Sequence, residues 1–90
     1  MAKEKEISSE LAKKIGEVLG VDWSKFNIQQ FKKGMTVELE HGKRSAITNV
    51  TDDDPLFTAK IALAHLNEFS DYYIRLEKME FEAEKYWAGK

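Results

Sequence analysis

The chain of 90 residues, 42% of them hydrophobic, is long enough for one domain, residues 1–90, but too short for two independent cores. Its 14 Lys and Arg against 16 Asp and Glu give a net charge of -2, which excludes the strong positive field of a dedicated nucleic-acid binder. The chain has no cysteine, so disulfides, thiolate nucleophiles and cysteine-ligated zinc are excluded as well.

The start of the chain carries no pattern of a targeting signal or a membrane anchor. Residues 1–6 are charged, and the stretch that follows them is amphipathic rather than apolar. No apolar run approaches the ~20 residues that cross a bilayer. We therefore predict that residues 1–6 are disordered, that the protein is cytoplasmic and that it has no membrane partner.

The first predicted helix covers about residues 8–19. Its apolar residues recur at intervals of three and four, Ser8 or Ser9 can cap its start, and Gly20 can end it in the left-handed conformation. Residues 22–26 then read as a single capped turn.

The segment after Asn27 supports two interpretations. Asn27 and Gln30 have capping-box spacing, and helical periodicity continues to Gly42, which predicts a second helix over about residues 28–41. Residues 35–41 also alternate with a period of two, and a turn at Gly42 with a return strand at 47–51 would form a β-hairpin over about residues 35–50. The two interpretations place different side chains on one face, so the choice decides which polar residues can act together.

The second half of the chain predicts two further helices after a polar loop over residues 43–54. Asp54 and Pro55 form a strong helix start, and the apolar residues from Phe57 to Phe69 place the third helix in the middle of a bundle. The fourth helix follows a cap at Ser70-Asp71. Its predicted core stripe consists of Tyr72, Leu76, Met79, Ala83 and Tyr86. The predicted fold is an all-α four-helix bundle, with an α+β fold containing the hairpin as the alternative.

Two short segments place the only two histidines beside carboxylates at one-turn spacing. On helices, Glu38 with His41 and His65 with Glu68 each make an i, i+3 pair. If the two helices pack antiparallel, these four side chains form a site for zinc, manganese or iron, because carboxylate and imidazole suit such ions and Glu-x-x-His motifs hold metals in helical bundles. The alternative is that His65 is an interior imidazole hydrogen-bonded to Glu38 or Glu40, with no metal.

The last helix carries more large aromatic residues than one stripe can bury. Tyr73 and Trp87 fall on a second face, together with Glu77, Glu80 and Glu84. Aromatic residues concentrate at interface hot spots, so Tyr73 and Trp87 are candidates for contact with a protein partner or with a second copy of the chain.

About half of the chain resembles a known family. The matching strings are ELEHG at residues 38–42, IALAHLNE at residues 61–68 and DYY at residues 71–73. They resemble an uncharacterised family of small bacterial and phage-associated domains. That resemblance implies no activity. It singles out the polar residues Glu38, Glu40, His41, His65, Glu68, Asp71 and Tyr72.

These observations predict a non-enzymatic protein-interaction or accessory module that binds a protein partner or itself, with no nucleic-acid partner. The alternative is a divalent-metal-binding domain, with hydrolytic activity if the metal keeps an open coordination position.

Overall fold

The computed structural model describes residues 7–89 and forms within them four α-helices and one short 3-10 helix. The elements are α1 (Ser9–Leu19), α2 (Ile28–Glu38), a 3-10 turn (Leu39–His41), α3 (Pro55–Glu68) and α4 (Tyr72–Ala88). The predicted all-α four-helix fold is confirmed. The predicted disorder of residues 1–6 lies outside the described residues.

The starts of α1, α2 and α3 lie where short polar side chains satisfy the backbone groups left open at a helix terminus, whereas Asp71 at the start of α4 makes no such side-chain bond. The Ser8 hydroxyl accepts a hydrogen bond from the Leu11 amide at 3.1 Å, and Gly20 ends α1 with a φ of 72°. At α2, Asn27 and Gln30 exchange side-chain and backbone hydrogen bonds of 2.9 Å each. The predicted capping box is therefore formed.

The alternative hairpin over residues 35–50 is wrong. Residues 35–38 continue α2, and residues 39–41 tighten into the 3-10 turn. Phe31, Met35 and Glu38 are all buried, at the helical spacing of four and three residues. A strand would have placed Met35 and Glu38 on opposite sides. The helix is favoured because it buries both side chains together.

Residues 43–54 form the predicted irregular connection, which is held against the 3-10 turn by backbone hydrogen bonds. The carbonyl of His41 accepts from the amides of Val50 at 2.6 Å and Thr51 at 3.2 Å, and Asp53 accepts from the amide of Lys43 at 2.9 Å. A Cβ atom on Gly42 would meet that Asp53 carboxylate at 2.0 Å. Only glycine therefore fits where the loop leaves the turn.

The core lies between α1, α2 and α3, with the most extensive contact between α2 and α3. Its buried apolar residues are Ile7, Ala12, Phe26, Phe31, Met35, Ala59, Ala62, Leu66 and Tyr73. The buried face of α3 is built largely of small residues, which lets α2 approach closely. Phe57 and Phe69 at its two ends are more than half exposed. α3 contacts α1, α2 and α4, which agrees with its predicted place in the middle of the bundle, although its two ends are open to solvent.

Only the start of α4 packs against this core. Tyr73 is buried and Leu76 is half-buried, whereas Met79 and every described residue after it are exposed. The described part of the chain measures 44 Å along its longest axis against 26 and 22 Å across. The predicted core positions Met79 and Tyr86 are exposed because α4 is longer than the body against which it packs.

Candidate functional site

A buried hydrogen bond between α2 and α4 forms the centre of the polar residues that the sequence singled out. The Tyr73 hydroxyl donates to Glu38 Oε2 at 2.6 Å. The Tyr73 side chain is 2% exposed, and that of Glu38 is 5% exposed. A charge-assisted bond in such surroundings is strong, and losing either partner leaves the other buried without a replacement.

Local sequence explains how the ring reaches this position. Gly34 lies one turn before Glu38 on α2, and a Cβ atom there would come within 2.6 Å of Tyr73 Cε2 and 3.1 Å of the Ala62 Cβ. The missing side chain leaves the space that the Tyr73 ring occupies, directly beside the Glu38 acceptor.

The environment of Tyr73 keeps its phenol protonated. Burial is the main cause that raises the pKa of Tyr73 far above its ordinary value, and the hydrogen bond to Glu38 and the negative charge of that carboxylate add to it. The phenol is therefore a hydrogen-bond donor across the ordinary pH range. The pair acts as a structural link between two helices.

His41 lies at the open edge of this pair. Its Nε2 atom is 3.9 Å from Glu38 Oε1 and 3.7 Å from Glu40 Oε1. These distances exceed those of hydrogen bonds, but they allow electrostatic attraction when the imidazole is charged. The side chain is half-exposed, so His41 is the member of the group that solvent reaches.

His65 makes a different set of contacts. Its ring stacks on Tyr72 with a centroid distance of 4.2 Å and an interplanar angle of 11°, and it meets Tyr73 edge-on at 6.3 Å. Nδ1 is 3.5 Å from Glu68 Oε1, but the geometry does not make a hydrogen bond, and the atom is buried. His65 is therefore mainly an aromatic packing residue.

The predicted metal ligands Glu38, His41, His65 and Glu68 form two separate couples. Within residues 7–89, no three His, Asp or Glu side chains converge as a metal site requires. Each couple keeps the i, i+3 pairing predicted from the sequence. However, the rings of Tyr72 and Tyr73 lie against His65, and the Tyr73 hydroxyl is hydrogen-bonded to the Glu38 carboxylate. The shared four-ligand arrangement is therefore not assembled in this structure.

The other residues singled out with them also separate. Asp71 accepts a hydrogen bond of 2.9 Å from Arg75 Nε, and this bond lowers the pKa of the Asp71 carboxyl. Tyr72 stacks on His65, and Glu40 faces His41. Asp71, Tyr72 and Glu40 are thus placed in three different contacts and do not form one polar cluster.

A row of carboxylates runs along α4 next to this region. Loss of hydration raises the pKa of Glu80, and the nearby carboxylates of Glu40, Glu84, Glu38 and Glu77 raise it further. Glu77, Glu80 and Glu84 are all exposed. The spacing of Glu77, Glu80 and Glu84 places them on one face, but only the structure brings that face close to Glu38 and Glu40.

The two aromatic residues predicted for an interface have different surroundings. Tyr73 belongs to the core, so its assignment to an outer face is wrong. Trp87 is 70% exposed, and its ring meets Tyr86 edge-on at 5.2 Å. The Tyr73–Glu38 link was missed because helix periodicity was followed along α4 alone. The available signal was Gly34, whose missing side chain leaves space for another residue one turn before Glu38.

Open clefts also lie on the surface of the described part of the chain. One of about 370 Å³ is lined by Glu40, His41, Arg44, Ser45 and Thr48. The other, of about 450 Å³, lies between α1 and the start of α2, with Trp23 and Ile28 in its mainly apolar wall. Both clefts are wide open to solvent, and neither includes the Glu38–Tyr73 pair.

The comparisons with known proteins give a family without an activity. A family model described as "Protein of unknown function (DUF5661)" matches residues 12–82, which include Glu38, His41, His65 and Tyr73. No curated protein and no solved structure matches the chain. Among the described residues, no helix is both long and apolar enough to span a membrane.

Proposed function

Because the chain belongs to the family described as Protein of unknown function (DUF5661), from which no activity can be transferred, we propose a function from its own geometry. The domain is a non-enzymatic protein-interaction module that binds its partner through the C-terminal half of α4. The observation that carries this proposal is the exposure of large apolar side chains along that half of the helix.

The apolar pattern of α4 continues beyond the part that the domain buries. Tyr72 and Leu76 are half-buried against the core, and the same four-and-three spacing leads on to Met79, Ala83 and Tyr86, all exposed. Met79 is 57% exposed, and Trp87 is more exposed still. An apolar stripe on a helix that extends past its own core is typical of a surface that binds another protein.

The buried link supports the same proposal, because it fixes the direction of α4. Tyr73 is the second residue of the helix, and its hydroxyl is held by Glu38 while its ring fills the space at Gly34. A helix anchored at one end presents its other end in a defined orientation. Such a surface loses less conformational entropy on binding than a flexible tail does.

Affinity capture with α4 variants tests this function. Trp87→Ala and Met79→Ser each remove an apolar contact, and each should weaken the affinity for the captured protein by about tenfold, equivalent to about 1.4 kcal/mol. If the partner is a second copy, the same loss of affinity should shift the measured mass from the assembly toward the monomer. Phe81→Ala is the matched control, because Phe81 is also 57% exposed but lies on the opposite side of α4.

Two results would contradict the proposal. One is equal capture by the wild type, Trp87→Ala and Met79→Ser. The other is a protein that stays monomeric at high concentration and retains no partner from its source under low-salt conditions.

A further inference from the structure

The same half of α4 carries negative charge along one edge of its apolar stripe. Building on the function proposed above, we infer that the partner presents a basic amphipathic helix, whose apolar side covers Met79 and Trp87 and whose Lys or Arg residues meet Glu80 and Glu84. Helices commonly bind partner surfaces in this way, with apolar anchors repeated at i, i+3, i+4 and i+7.

The negative charges lie along one edge of the apolar stripe. Glu77, Glu80 and Glu84 follow at intervals of three and four, so they form one row along α4. Trp87 is three residues after Glu84 and seven after Glu80, which places it where the acidic row meets the apolar stripe. A ligand that covers Trp87 must therefore pass beside these carboxylates.

The acidic row is crowded with like charge. Loss of hydration raises the pKa of Glu80, and the negative charges of Glu40 in the 3-10 turn and Glu38 at the end of α2 raise it further. An added cation would relieve this repulsion, whereas an added anion would increase it.

Basic side chains of the chain itself lie near the beginning of the row. Lys33 on α2 forms an ion pair with Glu77 at its beginning, and His41 lies near Glu38 and Glu40. Lys85 is directed elsewhere, with its Nζ atom 4.8 Å from the centre of the Phe81 ring. Glu80 and Glu84 lie beyond the Lys33 pair and close to the exposed aromatic residues.

A basic partner fits this surface better than an antiparallel second copy does. In a two-fold antiparallel pair of α4 helices, each edge of the stripe faces the same edge of the other copy. Glu80 and Glu84 would then face Glu80 and Glu84 of the other copy, and like charges in close opposition cost binding free energy. The charge pattern therefore favours a different chain with the opposite charge.

Two synthetic helical peptides test the inference. Both have about 18 residues and the same leucine face, and one carries lysines beside that face where the other carries glutamates. We expect calorimetry with the intact protein to give at least about tenfold tighter binding of the lysine peptide at low salt. This preference should fall as salt screens the charges.

A pair of double variants identifies the residues responsible. Glu80→Gln with Glu84→Gln should remove most of the preference for the lysine peptide. Glu10→Gln with Glu17→Gln on α1 changes the net charge equally at a distant surface, so it should leave the preference in place. Circular dichroism of both variants checks that the fold is retained.

The outcomes separate this inference from the proposed function. Equal binding of both peptides that is lost in Trp87→Ala would overturn the basic partner while supporting the α4 surface. The basic partner is also wrong if the α1 double variant loses the preference as fully as the α4 double variant. Binding of neither peptide, with an assembly mass that rises with concentration and falls in Trp87→Ala, would assign the surface to a second copy. Binding of neither peptide by a protein that stays monomeric and captures nothing would overturn both proposals.

Discussion

Gly34 lies on the face of α2 that receives the ring of Tyr73. Glycine in the middle of a helix is unfavourable by about 1 kcal/mol relative to alanine, and on sequence grounds alone it weakens the prediction of α2. In the structure, the same residue makes room for the aromatic ring that joins α4 to the rest of the domain. Its cost in helix propensity is offset by the packing that it permits.

Gly34→Ala should therefore destabilise the domain even though alanine is the better helix former. The new methyl group would lie 2.6 Å from a buried ring that is also held by its hydroxyl, so neither partner can move away freely. We expect a loss of about 1–3 kcal/mol in the free energy of unfolding, measured by urea denaturation. Gln29→Ala, at an exposed position of the same helix, is the control and should change stability little. A stabilised Gly34→Ala variant would contradict this packing.

Tyr73→Phe removes the donor to Glu38 and leaves a buried carboxylate without its partner. The cost should be about 1–3 kcal/mol of unfolding free energy at pH 7. The difference in unfolding free energy between wild type and Tyr73→Phe should then shrink above about pH 10. The reason is that Tyr73 ionises there in the unfolded state but stays protonated in the folded state. The unfolded state then binds fewer protons than the folded state, so wild-type stability falls as pH rises. The slope that this residue adds is at most about 1.4 kcal/mol per pH unit.

Urea denaturation of both proteins between pH 7 and pH 11.5 measures this effect. A difference between wild type and Tyr73→Phe that stays constant over the whole range would show that Tyr73 is not held as a protonated donor.

At the scale of the elements, the starts of α1, α2 and α3 could be predicted from the sequence because local chemistry determines them. Ser8, Asn27 and Asp54 each accept hydrogen bonds from backbone amides at the start of a helix, and each lies within three residues of its partners. The choice between helix and hairpin at residues 35–50 was harder to predict. The helix buries Met35 and Glu38 together, and this burial depends on α3 and α4 and not on the segment itself.

The positions of side chains between elements could not be read in the same way. The two predicted couples, Glu38 with His41 and His65 with Glu68, are close in space because each is local. Their separation from each other depends on how α2, α3 and α4 pack. Tyr73 illustrates the reason, because its ring is buried in the space left by Gly34 on α2, 39 residues earlier in the chain. The periodicity of α4 alone cannot indicate that space.

At the scale of the whole molecule, the domain consists of a three-helix body and a fourth helix that belongs to it only at its start. The stripe predicted to be core along all of α4 is core near Tyr72 and Leu76 and surface from Met79 onward. Under the proposed function, this one continuous apolar pattern serves folding at one end of the helix and binding at the other. Sequence alone could not divide it, because the end of the body is set by the lengths of α2 and α3.

Amide hydrogen exchange of the isolated protein tests this division of α4 most directly. We predict strong protection at residues 76–78, whose amides bond to the anchored first turn, and much weaker protection at residues 83–88, where helix ends without tertiary packing open readily. Uniformly strong protection through residue 88 in a monomeric sample would contradict the account, because it would mean that the C-terminal half of α4 is packed and is not an exposed binding surface.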